Sequence, residues 1–153
     1  MDCEKLAELA DILERSEGDE LRKRAEQSKL GMEELWDDEY FGEYVIPNTA
    51  RCDPAFKDQN YWRGRIWAPA NYLAYIAMRN HKLDEPCKIL AEKSEKLLMK
   101  EWLQHGHVHE NYNGDTGEGC DVKSSDKFYH WGGLLSLIAL IEAGYVPGPE
   151  QPI

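Results

Sequence analysis

The sequence predicts an all-α fold of antiparallel helix pairs, about five helices in all, and three observations lead there. Apolar residues recur three and four positions apart over five stretches, a spacing that lines one face of a helix. Residues that start or stop helices, among them Pro69, Pro86 and Gly144, stand at the edges of those stretches. The connections alternate short and long, as in helix pairs laid side by side. By size the 153 residues fit one domain, expected over residues 1–146, with a proline-rich tail at 147–153.

The first helix is expected over residues 3–16, with Leu6, Leu9, Ala10 and Leu13 on one face, and Gly18 ends it. A second begins near Asp19 and runs to about Trp36, burying Leu21, Ala25, Met32 and Leu35. The helical period is then lost from Asp37 to Asn60. There Tyr40, Phe41, Tyr44, Val45 and Ile46 favour a short extended pair, interrupted by Pro47 and Pro54. A connection of that length is functional or disordered, and its aromatic content argues for order. Pro69 falls in the first turn of a third helix, where its missing amide hydrogen has no helical partner. Tyr72, Leu73, Ile76 and Ala77 face inward, and the helix stops near His81. Asp84 caps a fourth helix with Pro86 in its first turn, and Cys87, Leu90, Ala91, Leu97, Leu98 and Trp102 carry it to about Gln104. After a loop over 105–124, Ser125 caps a fifth helix. Leu134, Leu135, Leu137, Ile138, Leu140 and Ile141 are almost continuously apolar, so that helix is buried on most sides. The connections 37–66 and 105–124 are two helices apart and so emerge at the same end of an antiparallel array. That shared end is the expected site.

Charge narrows the partners. The formal net charge is -11, from 18 basic and 29 acidic residues, whereas phosphate recognition needs a basic footprint. Nucleic acid and anionic membrane surfaces are therefore disfavoured, and neutral, hydroxyl-rich or cationic ligands remain. No apolar run approaches the ~20 residues of a membrane span, and Asp2 and Glu4 stand where a signal peptide carries basic residues, so the expected location is cytoplasmic. Cys3, Cys52, Cys87 and Cys120 form no CxxC pair and are expected as reduced thiols.

Three stretches carry chemistry. In YWRGRIW (61–67), Tyr61, Trp62 and Trp67 offer flat apolar faces for pyranose rings, and Arg63 offers several donors for hydroxyls. Gly64 permits close backbone approach. The competing reading puts the tryptophans in the core and Arg63 in a structural ion pair. In HENYNGDTGEG (109–119), Glu110 stands among His109, Asn111, Tyr112 and Asn113, suited to act as a general base on water or simply to be solvated. His105, His107 and His109 alternate as metal ligands in an extended segment would, though no established ligand spacing is present and the nearby glycines argue for a solvated loop. In FYHWGGLL (128–135), Gly132 and Gly133 require close approach of another backbone or of a ligand.

These three motifs, in this order, resemble the C-terminal part of the catalytic domain of glycoside hydrolase family 63 and its relatives, the mannosylglycerate hydrolases and trehalase-like glucosidases. ELWDDEYFGEY (34–44) and CDPAFKDQ (52–59) add a weaker match. The resemblance implies an (α/α)6 toroid, a six-hairpin glycosidase, acting on a saccharide by inversion with no cofactor and no metal. It places the general base on Glu110 and the sugar-shaping segment on Tyr61, Trp62, Arg63, Gly64 and Trp67, with Asn71 in the same motif. Phe128, Trp131 and Gly132 match the facing wall, and Tyr112, in the motif of the base, is expected to bind substrate. The two carboxyl groups of such an enzyme stand about 6.5–9.5 Å apart to admit the attacking water. The family's acid lies upstream of the YWRG segment, and Asp37, Asp38 and Asp53 occupy no matching motif. Five helices are fewer than half of a toroid. The chain is therefore expected as a C-terminal portion holding the base without the acid, feeble alone, and self-associating or completed by an N-terminal partner segment that covers apolar surface near Leu134 to Ile141. The alternative is a non-catalytic carbohydrate-binding or assembly module of the same fold.

Overall fold

The computed structural model describes residues 3–34 and 41–149, which include five α-helices and no strand longer than an isolated bridge. The fold is all-α. Two compact units divide the chain, Met1–Asp37 and Asp38–Ile153.

In the first unit, α1 (Cys3–Ile12) packs on α2 (Gly18–Glu34) through buried Ala7, Ala10 and Ala25. Small side chains let the two backbones approach, so the buried face of α1 is set by alanines. Leu9 and Leu13, expected inside, are exposed. Gly18 opens α2 rather than closing α1. The stop is Glu14, which adopts a left-handed conformation (φ 51°). Its N–H reaches the Asp11 carbonyl at 3.0 Å and the Arg15 N–H reaches Ala10 at 2.8 Å, the paired bonds that satisfy a helix's last carbonyls. The expected burial of Met32 and Leu35 and the end at Trp36 fall outside the described side chains.

The second unit is built on α3 (Ala68–Asn80), α4 (Asp84–His105) and α5 (Leu134–Glu142), each packed on the other two. Tyr75, Leu90, Leu97, Leu135 and Ile138 on these helices are fully buried. The inner face of α3 is Ala68, Asn71, Tyr75 and Met78, not the expected set containing Leu73, which is 69% exposed. Asn71 turns the helix: its side chain accepts from Ile46 N and donates to the Ile46 carbonyl, both at 2.9 Å, so a polar residue takes the inward position. Trp102 likewise lies half exposed on α4, where Glu101 is buried instead. Asp84 lies inside the first turn of α4 with Leu83 at its cap position. Ser125 caps nothing: its hydroxyl accepts from Cys120 N (2.9 Å) and donates to the Asn111 carbonyl (2.7 Å). The last helix begins nine residues later, after a 3-10 turn at His130–Gly133. On α5 Leu135, Ile138 and Ile141 are buried against α3 and α4, while Leu140 is 41% exposed.

No extended pair forms near residues 41–46, and Tyr40 is outside the described residues. That connection is nevertheless ordered around buried Phe41, Tyr44, Val45 and Phe56, with a 3-10 turn at Pro54–Asp58 capped by Asp53, whose Oδ1 accepts from Ala55 N at 2.7 Å. The two long connections meet as expected. Ile66 bridges Pro47 on one side and Tyr112 on the other, and Tyr112 bridges Gly119.

Candidate active site

The site is assembled on the contact between Ile66 and Tyr112, which exchange backbone hydrogen bonds of 2.8 and 3.0 Å. Both side chains are fully buried, and burial pushes the Tyr112 hydroxyl up to about 12 while it accepts from His109 N at 3.3 Å. Glu110 lies two residues before this junction. Its N–H donates to the Asp126 carbonyl (2.7 Å) and its own carbonyl accepts from the Trp131 indole (3.0 Å). The residue is 7% exposed, and Oε2 accepts one long bond, 3.4 Å, from Asp126 N. A carboxylate oxygen offers about two acceptor positions, so most of this group's capacity is left for something outside the protein.

The residues on either side of Glu110 are anchors. Asn111 is fully buried, donates to the Ser124 carbonyl at 2.6 Å and accepts from Arg65 Nε. Arg65 is itself fully buried, pairs with Asp121 at 2.6 Å and reaches the Gln59 carbonyl at 3.3 Å. Burial works against charge on Asp121, but hydrogen bonds from Arg65 and Asn113 outweigh it and hold the carboxyl below its ordinary range. On the other side, burial lowers the His109 imidazole to about 4, so the ring is neutral. Its Nδ1 lies 3.0 Å from Cys120 Sγ, and its Nε2 lies 3.0 Å from Glu101 Oε2, which accepts from Gly119 N at 3.0 Å. The rings of His105, His107 and His109 gather within 4.6–5.9 Å, yet among the described residues no three such groups are arranged to hold a metal. All four cysteines are free thiols.

Aromatic rings form the adjoining wall. Trp62 stacks on Trp67 with centroids 3.9 Å apart, Tyr61 meets both edge-on, and Trp67 lies 6.0 Å from Trp131. The Trp67 indole donates to the Tyr61 carbonyl at 2.9 Å, which fixes the stack. Trp67 is buried, whereas Trp62 and Tyr61 are 53% and 40% exposed. One tryptophan of this motif is thus in the core and the other at the surface. Tyr129 continues the wall, 4.4 Å from Trp131.

Several expected contact residues make contacts within the protein. Asn71 and Tyr112 are fully buried and their polar atoms are engaged by protein. Gly64 has φ +84°, and a Cβ there would stand 2.1 Å from the Phe56 carbonyl, so the close approach it permits is that of its own chain. Arg63 pairs with Asp58 at 2.6 Å in an exposed ion pair. Phe128 lies against His107, 4.7 Å away, and is 69% exposed. Gly132 lets the 3-10 turn close on the loop, because a Cβ would meet the His109 carbonyl at 2.4 Å; around Gly133 there is open space. The Trp131 indole thus joins the backbone at Glu110 to the Trp62–Trp67 stack. Arg65, Asp121 and Glu101 were not singled out by sequence. Arg65 and Asp121 are 56 positions apart, and nothing local to either marks the pairing.

Residues 37–131, more than half of the chain, match the family model described as mannosylglycerate hydrolase MGH1-like glycoside hydrolase domain. Mannosyl-oligosaccharide glucosidase of Saccharomyces cerevisiae is 32% identical over 109 residues, covering 62% of this chain and 13% of that protein. The chain thus spans a small part of the relative's length. No solved structure matches the chain significantly.

Proposed function

The chain belongs to the mannosylglycerate hydrolase MGH1-like glycoside hydrolase family, and on that premise we propose that Glu110 is the general base of an inverting hydrolase acting on glucosidic or mannosidic bonds. One observation carries the reading. Glu110 is a nearly buried carboxylate held by its backbone to Trp131 and Asp126, and its side chain accepts only a long 3.4 Å bond. A carboxylate with unused acceptor capacity, carried on a backbone bonded to Trp131, is suited to take a proton from water. The Trp62 face gives a pyranose ring a platform.

In the proposed step Glu110 removes a proton from water as the water oxygen bonds to the anomeric carbon. The bond to the leaving oxygen breaks on the opposite face, and that oxygen takes a proton from an acid supplied by a segment upstream of the YWRG motif. Exposed Leu73, Trp102 and Leu103 support an apolar partner for this chain, either such a segment or a second copy.

Glycosyl fluorides test the base without the acid, because fluoride leaves without a proton. Release of fluoride from α-glucosyl or α-mannosyl fluoride, with the inverted sugar as product, is expected to fall about 10²–10⁴-fold in Glu110→Gln. An unchanged rate removes Glu110 from the mechanism. The second reading, a non-catalytic carbohydrate-binding module, draws on the stacked Trp62–Trp67 pair, which needs no acid or base to hold a sugar. Saccharide binding by calorimetry with no fluoride release would favour it.

A further inference from the structure

We propose that Arg65 is the positioning residue of the Glu110 carboxylate, an inference that rests on reading Glu110 as the base. Arg65 does not touch Glu110. Its fully buried guanidinium joins three separate segments: Nε donates to Asn111 Oδ1, the terminal nitrogens take Asp121 at 2.6 and 3.2 Å, and one of them also reaches the Gln59 carbonyl. Burying a guanidinium is costly unless its donors are used, and here the fork uses them on the residue next to Glu110 and on the turn that faces it.

From that fork the bonds run outward to the carboxylate. Asn111 Nδ2 donates to the Ser124 carbonyl, and Ser125 Oγ donates to the Asn111 carbonyl. The next residue, Asp126, then exchanges bonds with Glu110, taking its N–H and giving its own to Oε2. Asp121 begins the same turn, so Arg65 holds both the strand-like piece carrying Glu110 and the turn that contacts its carboxylate. A lysine keeps the charge but replaces a planar fork with one point donor, leaving Asn111 or Asp121 without its partner.

The test compares Arg65→Lys and Asn111→Ala with the unaltered chain in two measurements. The first is hydrogen exchange at two indoles. Trp131 Nε1–H, bound to the Glu110 carbonyl, reports the site, and Trp67 Nε1–H, bound to the Tyr61 carbonyl, is the internal control. Exchange about 10-fold faster at Trp131 with Trp67 unmoved is expected. Equal acceleration at both indoles makes Arg65 a general scaffold residue and overturns the proposal, as does no change at either. This measurement needs no turnover. The second is glycosyl fluoride hydrolysis, where kcat is expected to fall about 10²-fold with KM nearly constant, the loss that a misplaced base produces. Full kcat in both variants while Glu110→Gln is inactive overturns this proposal alone. Full activity of Glu110→Gln overturns the base assignment and this inference with it.

Discussion

Gly64→Ala distinguishes a glycine kept for ligand approach from one kept for chain packing. Gly64 has φ +84°, a conformation that costs an L-residue about 1–2 kcal/mol. A Cβ would also stand 2.1 Å from the Phe56 carbonyl and 2.8 Å from the Gln59 amide nitrogen, and the first of these is backbone that cannot swing aside. Forcing that contact apart adds an overpacking cost of about 1–3 kcal/mol. The sum is about 2–5 kcal/mol, and at about 4 °C per kcal/mol for a unit of this size the melting temperature falls by about 8–20 °C. Thermal unfolding by circular dichroism measures it, with Gly133→Ala as the control because no heavy atom lies within 4 Å of a Cβ there. The control is expected to be neutral or stabilised by a few tenths of a kcal/mol, roughly the gain from a less flexible unfolded chain. A Gly64→Ala melting temperature equal to that of the unaltered chain, with weaker saccharide binding, would refute the packing argument and return Gly64 to the ligand.

Other outcomes follow from the same geometry. His109 is held neutral in the folded chain, with its pKa lowered from 6.5 to about 4. Its contribution to stability is therefore complete above the unfolded value and lost as pH falls from 6.5 through about 4; urea titrations across that window should show a slope that His109→Gln flattens, and an unchanged slope would count against the buried neutral ring. Trp67→Ala empties a buried position and should cost about 3–5 kcal/mol, measured by urea unfolding. Trp62→Ala, at a half-exposed position, should leave stability within about 1 kcal/mol and weaken saccharide binding in calorimetry; equal affinity in that variant would remove the platform.

The helices were legible because helix formation is largely local. Pro69 in a first turn, Gly144 after the last turn and the apolar spacing of Cys87, Leu90, Ala91 and Leu97 mark the start of α3, the end of α5 and the course of α4 within a few residues. Which face turned inward was less legible. Apolar content alone favoured Leu73 over Asn71, but Asn71 is inside because two backbone groups of Ile46, 25 positions away, need its amide. The start of the last helix was misplaced at Ser125 for a related reason: a hydroxyl that caps helices equally well satisfies a loop, and Asn111 and Cys120 claim it here.

By itself the sequence determined the helical class, the order of the three motifs and the family to which they belong, since each of these is written in neighbouring residues. Only the tertiary structure decided where those motif residues sit. It divided the tryptophans between core and surface, buried Tyr112 and Asn71, and gave Glu110 Oε2 one long bond from Asp126 N. It also brought Arg65 to Asp121 across 56 positions. A buried charge takes its partner from whatever the folded chain sets beside it, and in this chain those partners come from distant segments.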